Sequence, residues 1–209
     1  MFINREQAGS LLADELLIYK SSKDVVVVAI PRGGVPVGYE IAKKLNLPLE
    51  IVLSKKIGHP FNKEYAIGAV TLKSKSLNEF IEGVTAHYIE SEIKRIREVL
   101  TNRYKLYYED RIPMNLQNKT VIVVDDGVAT GRTLLSCIDL IKKENPANIV
   151  VALPVSSIAA FNTINELPIV KETICLLTPK NFRAVGQFYK DFRQVSDEEV
   201  IQLLKNNNL

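Results

Sequence analysis

Residues 25–30 read Val-Val-Val-Val-Ala-Ile, an unbroken apolar run. A strand with one wet face alternates apolar and polar residues, whereas a continuous run belongs to a strand covered on both faces. Shorter runs of the same kind recur at 49–53, 120–124, 148–153 and 174–177. Segments with helical spacing separate them. Asn4 and Gln7 have the form of a capping box ahead of Ala8, Leu11, Leu12 and Leu16. Residues 35–45 have helical periodicity and stop before Pro48. Ile89, Ile93, Ile96, Leu100 and Tyr104 mark one stripe on a helix over 85–108. Further helices are predicted over 133–143, 156–165 and 196–205. Strands alternating with helices specify an α/β fold, a Rossmann-like, mostly parallel sheet with helices on both faces. Such a sheet binds ligands beyond the carboxyl ends of its strands. Chemistry is therefore sought in residues 31–34, 54–67 and 125–133.

Composition narrows the field further. A chain of 209 residues with 46% hydrophobic content fits one domain, taken as 1–209, with a core that needs no disulfide or structural metal. The longest apolar run is too short to span a bilayer, and no secretory apolar region follows Met1. Net charge is +3, which gives no polyanion-binding field, so no nucleic-acid partner and no membrane partner are expected. Cys137 and Cys175 lack metal or redox spacing and read as reduced core thiols of a cytoplasmic protein.

Residues 120–133 are the most informative stretch. An apolar strand delivers Asp125 and Asp126 to the sheet edge, and Gly127, Val128, Ala129, Thr130 and Gly131 then turn into a helix beginning near Arg132 and Thr133. Two adjacent carboxylates suit the vicinal hydroxyls of a sugar, because a carboxylate accepts charge-assisted hydrogen bonds. The turn presents backbone N–H groups at a helix N-terminus, an anion site by geometry and by dipole. Thr130 and Thr133 add hydroxyls, and Gly131 permits close approach. The plainer reading makes Asp126 and Thr130 helix caps at an acidic turn. A Walker phosphate loop is excluded, since Gly-x-x-x-x-Gly-Lys-Thr does not occur.

Pro31-Arg32-Gly33-Gly34 follows the first strand in the same way. Gly33 and Gly34 allow close backbone approach to an anion, and Arg32 can grip phosphate oxygens. Residues 55–70 mix Gly, Pro and Asn with Lys55 and Lys56, and read as a long loop of the kind that often forms a lid. His59 lies in it as either an exposed residue or a proton shuttle, and His87 reads as structural. The charges of the long helix read as a solvated face, with Tyr104, Tyr107 and Tyr108 packed. Asn206-Asn207-Asn208 reads as a frayed tail.

The stretch 121–133 resembles the phosphoribosyl-pyrophosphate (PRPP) motif of type I phosphoribosyltransferases: an apolar strand, two acids, a short linker and Thr-Gly-x-Thr. Residues 31–37, 58–70 and 188–197 extend the resemblance to a stand-alone subfamily of those proteins that has no settled acceptor. It implies the type I phosphoribosyltransferase fold with a small hood, drawn from the N-terminal helix, the C-terminal third, or both. It also implies that Asp125 and Asp126 are catalytic and that residues 125–133 hold the ribose and 5′-phosphate. Arg32, Gly33 and Gly34 would hold the pyrophosphate, on a loop that in the family commonly carries a strained, sometimes cis, peptide, and Lys55 and Lys56 would join them from a flexible loop that in the family closes over PRPP.

The implied reaction moves a phosphoribosyl group from PRPP to a small, nitrogenous acceptor with release of pyrophosphate. The implied cofactor is Mg²⁺, which needs few protein ligands, so Asp125 and Asp126 would touch it through water rather than directly. A homodimer is the implied assembly. Purine salvage enzymes for hypoxanthine and guanine carry an Asp just before the Thr-Gly, whereas this chain has Ala129, which speaks against a 6-oxopurine acceptor. Two other functions share the fold and stay open: a sensor of PRPP or a nucleotide, and a hydrolase acting at the PRPP site.

Overall fold

The computed structural model of the chain describes residues 1–63, 65–77, 83–108 and 112–207. They form two compact units, one of residues 1–52 and 113–209 and the other of residues 53–112.

The first unit is built on five parallel strands: β1 (Val25–Ala29), β2 (Leu49–Ile51), β6 (Thr120–Val124), β7 (Asn148–Val155) and β8 (Val170–Leu177). Their order is β2-β1-β6-β7-β8. The helices are α1 (Arg5–Glu15), α2 (Gly34–Leu45), α4 (Arg132–Lys142), α5 (Ile158–Asn165) and α6 (Asp197–Asn206). All five residues of β1 are buried, as its unbroken apolar run requires. Val26 and Val28 pack with Val121, Val123 and Val151 against Leu134, Ile138 and Ile141 of α4 and Ala160 and Ile164 of α5. Val27 and Ala29 meet α2 on the opposite face. Burying each Val contributes about 1.5–3 kcal/mol relative to leaving it exposed.

Four expectations change here. The fifth strand begins at Val170, before the apolar run, because β8 lies at the sheet edge, where Lys171 and Glu172 stay exposed. Asn207 is buried rather than frayed. Its Oδ1 accepts from the Leu49 amide at 2.8 Å and its Nδ2 donates to the Leu47 carbonyl at 3.3 Å, so a side chain serves the free edge of β2. Asn208 lies outside the described residues. In α1, Leu11 is exposed while Ala8 and Leu12 are buried. Asn4 caps the helix by accepting from the Gln7 amide, and Gln7 accepts from Ile3 rather than from Asn4.

The second unit holds an antiparallel sheet, β3 (Lys55–Gly58), β4 (Ala66–Val70) and β5 (Lys75–Leu77), together with α3 (Ala86–Tyr108). Residues 55–70 are therefore a hairpin and not a long loop. The turn-forming residues sit at its tip, while buried Ile57, Ile67 and Val70 supply the face that strands need. Lys63 closes the tip on α3 by donating to the Tyr88 hydroxyl at 2.6 Å, and its ammonium lies 3.4 Å from Glu92. Glu64 lies outside the described residues. Ile93, Ile96, Leu100, Tyr107 and Tyr108 are buried, and Tyr104 stacks on Tyr108, so the tyrosines pack as expected. His87 is exposed in the first turn of α3.

Candidate active site

Within the first unit, β1 and β6 lie side by side in register, pairing Val25 with Thr120 through Ala29 with Val124. Their carboxyl ends therefore emerge together, and so do the loops that follow. The Ile30 amide donates to the Val124 carbonyl at 2.9 Å, and the Gly34 amide donates back to Ile30. The Pro31–Arg32 peptide is cis.

Gly33 lies against the acidic pair. A Cβ built there would stand 2.0 Å from Asp126 Oδ2 and 2.6 Å from its Cγ. At Gly34 it would stand 2.8 Å from the Val124 carbonyl oxygen and 3.0 Å from Asp125 Cα. Gly33 has φ −61°, ordinary helical backbone, so close approach and not conformation is what calls for glycine.

Asp125 Oδ1 accepts the amide of Asp126 at 2.9 Å. Asp126 Oδ2 accepts from Nε of Arg5 at 2.8 Å, and Nη2 of Arg5 lies 2.8 Å from the same oxygen. The ion pair is largely withdrawn from water, with side-chain exposures of 9% for Arg5 and 14% for Asp126. The third guanidinium nitrogen, Nη1, donates to the Arg193 carbonyl at 2.8 Å, and the guanidinium carbon sits 3.9 Å from the centroid of the Phe192 ring. Tyr189 donates its hydroxyl to the Asp126 carbonyl at 2.6 Å.

Burial raises the pKa of Asp125 well above the ordinary carboxylate range, and the charge of Asp126 beside it adds to the rise. Burial also raises Asp126, against the pull of Arg5. Tyr189 is pushed up by burial first and by the Asp126 charge second.

The turn after the acids is pinned by β7 and α5. The Val128 amide donates to Val155, the Ser157 amide donates to Val128, and the Ser157 hydroxyl donates to the Ala129 carbonyl at 2.7 Å. Gly131 has φ +75° and leads into α4, whose first backbone bond runs from Leu135 to Gly131. The amides of Arg132, Thr133 and Leu134 are left without helical acceptors, as at any helix N-terminus. Thr130 and Thr133 are exposed beside them.

The structure thus gathers Arg32, Gly33 and Gly34 with the stretch 125–133. Arg32 sits 3.8 Å from Asp197. A cavity of about 370 Å³ opens among Arg5, Arg32, Gly33, Asp126, Phe192 and Arg193. Lys55 and Lys56 belong to the other unit, where both are exposed on β3. His59 there accepts from the Phe61 amide through Nδ1. Among the described residues no group of three or more His, Cys, Asp or Glu could hold a metal ion.

Arg5 was not expected from sequence. Its signal was a charged residue three before Ala8 and seven before Leu12, on the stripe that α1 buries. The terminal segments that carry Arg5 and its partners run together: Phe2 bridges in parallel to Tyr189, and the Asp191 amide donates to Ile3.

Comparison with known proteins gives a consistent result. Relatives in two Mycobacterium tuberculosis strains, both provisionally named phosphoribosyl transferases, are 35% identical over 214 residues that cover 98% of this chain and 46% of theirs. The chain thus spans about half the length of the curated relatives it matches. The crystal structure of TT1426 from Thermus thermophilus superposes with a TM-score of 0.86 at 36% identity, covering 99% of both chains. The AQ2163 protein of Aquifex aeolicus shares the fold at 16% identity, with a TM-score of 0.51 over 82% of this chain and 73% of its own. No helix among the described residues is long and apolar enough to cross a membrane. The model of the phosphoribosyl transferase domain matches residues 4–192, and the chain belongs to that family.

Proposed function

We propose that the chain transfers a phosphoribosyl group from PRPP to a small nitrogenous acceptor, releases pyrophosphate, and requires Mg²⁺ to do so. The observation that carries this reading is the packing of Gly33 against Asp126, which sets a glycine loop suited to phosphate directly beside two carboxylates suited to a ribose diol.

Each part has a physical role. The amides at the start of α4, with the Thr130 and Thr133 hydroxyls, suit the 5′-phosphate. Asp125 and Asp126 accept from the ribose hydroxyls and fix C1 in place. Arg32 and the amides of Gly33 and Gly34 suit the departing pyrophosphate. Positive charge would develop on the ribose ring as the bond to pyrophosphate breaks, and the negative charge of the two carboxylates would stabilise it. Carboxylate oxygens are the hard donors Mg²⁺ takes, and with no cluster of three acids among the described residues the two would meet it through water. When bound, Mg²⁺ offsets the negative charge of the pyrophosphate. Catalysis is then positioning plus electrostatics.

In this reading the hood is α1 with the segment 189–195, supported by the contacts of Arg5 and Tyr189 to Asp126. The reading carries with it a cytoplasmic protein that works on small molecules, as a homodimer.

The test is to incubate the protein with Mg²⁺ and PRPP against a panel of nitrogenous bases and follow pyrophosphate. Release with one base alone supports transfer. Release without any base identifies a hydrolase, and PRPP binding with no release identifies a sensor. No binding of PRPP in calorimetry refutes the assignment.

A further inference from the structure

The phosphoribosyl reading accounts for the two acids and the two loops, but not for a buried arginine 121 residues away in sequence that is bonded to one of those acids. Resting on that reading, we propose that Arg5 is a positioning residue, which takes one oxygen of Asp126 so that the other is fixed as the acceptor for a single ribose hydroxyl.

The accounting of carboxylate oxygens supports this. Asp126 Oδ2 faces both Nε and Nη2 of Arg5. Asp125 Oδ1 accepts the Asp126 amide. Apart from the amide of Asp126 itself, no group among the described residues donates to Asp126 Oδ1 or Asp125 Oδ2. The pair therefore offers one oxygen from each acid, which matches the two hydroxyls of a cis-diol. Asp126 also lines the cavity that Gly33 and Arg32 share, so a ligand in that cavity meets it.

Arg5 is itself held on every side: Asp126 takes two nitrogens, the Arg193 carbonyl takes the third, and Phe192 covers the guanidinium. A lysine has one compact ammonium and cannot reproduce that fork. Tyr189 fixes the main-chain end of the same acid. Asp126 is thus clamped at its carbonyl from the C-terminal segment and at its carboxylate from α1. An acid that served only to neutralise Arg5 would need no such clamp on its carbonyl.

The test uses the intact chain and three probes in calorimetry with Mg²⁺: ribose 5-phosphate, 2-deoxyribose 5-phosphate and inorganic pyrophosphate. The wild-type protein prefers ribose 5-phosphate to its deoxy analogue. In Arg5→Met, which keeps the packing on Phe192, ribose 5-phosphate binding falls between about tenfold and about a hundredfold, as expected for a misplaced contact group. The deoxy analogue weakens much less, so the preference collapses, while pyrophosphate, which Arg32 still meets in the same cavity, weakens much less than ribose 5-phosphate. A merely structural Arg5 would weaken all three probes alike. Arg5→Lys keeps the charge and should retain an intermediate preference, and it decides the matter if Arg5→Met does not fold. A wild-type preference in the folded variant overturns the proposal, as does an equal loss of all three probes. A wild-type protein that binds none of the probes refutes the phosphoribosyl reading itself.

Discussion

Gly33→Ala isolates the contact on which the functional reading rests. The backbone there is helical, with φ −61° and ψ −33°, so the substitution carries no conformational penalty. By conformation alone alanine should be better by about 0.5–1 kcal/mol. The obstacle is steric. The three heavy atoms nearest the new Cβ are Oδ2, Cγ and Oδ1 of Asp126, at 2.0, 2.6 and 3.2 Å. Real Cβ contacts stop at 3.0 Å, so 3.0 less 2.0 leaves about 1 Å to be opened. Asp126 cannot yield freely, because Arg5 holds its carboxylate at 2.8 Å and Tyr189 holds its carbonyl at 2.6 Å. The loop cannot retreat freely either, since the Gly34 amide is tied to Ile30.

Overpacking of this kind costs about 1–3 kcal/mol. After the conformational gain, the net loss is at most about 2.5 kcal/mol, a fall in Tm of up to about 10 °C for a chain of this length. Asp126→Ala removes all three clashing atoms. On that background the same Gly33→Ala change becomes neutral or stabilising by about 0.5–1 kcal/mol. The sign reversal is the decisive feature, and urea unfolding of the four proteins measures it through midpoints at constant m. An equal cost of Gly33→Ala on both backgrounds would show that the loop does not rest on Asp126, and the functional reading would lose its main support.

The pH dependence of the acidic pair gives a second prediction. Folded Asp125 and Asp126 both have raised pKa values, so their contribution to stability is fully present below the ordinary carboxylate pKa and is lost as pH rises through the folded values. Asp125→Asn keeps an acceptor for the Asp126 amide and removes a buried charge, so its Tm at pH 7 should exceed wild type while PRPP binding is lost. The gap should close as pH falls to the ordinary carboxylate range; a lower Tm at pH 7 contradicts the argument. Gly131→Ala should cost about 1–2 kcal/mol from its left-handed backbone alone, because the nearest neighbour of a new Cβ is 3.6 Å away. Gly131→Asn should recover part of that loss, and thermal unfolding compares the two. Asn207→Ala leaves the Leu49 amide and Leu47 carbonyl without their side-chain partner, at about 1–3 kcal/mol, and amide exchange at Leu49 should rise.

What could be read from sequence was whatever local pattern determines. β1 and β6 carry runs that only a doubly covered strand tolerates, so they were found nearly to the residue. The turn into α4 was legible because Gly131 stands where the backbone is left-handed and the two acids follow directly on the apolar run of β6. The first half of β8 was not legible, since Lys171 and Glu172 are acceptable only because that strand is an edge, and edges are set by topology. The hairpin of residues 55–70 was missed because its tip dominates its composition, while Ile57 and Ile67 define a face only once paired. Asn207 was missed for the same reason: its partners are Leu47 and Leu49, about 160 positions earlier in the chain.

Arg5 shows where the boundary falls. A charged residue on the buried stripe of α1 says that a partner exists but does not say which one, and 24 acids were available. Topology selects Asp126. Once the sheet places the carboxyl end of β6 beside β1, the acid pair lies in a largely buried setting that opposes its charge. Two carboxylates with one guanidinium leave a deficit that burial makes costly, and a phosphoribosyl ligand brings hydroxyl donors that reduce it. Under the proposed function, a ribose diol would therefore relieve the charge excess of the acid pair.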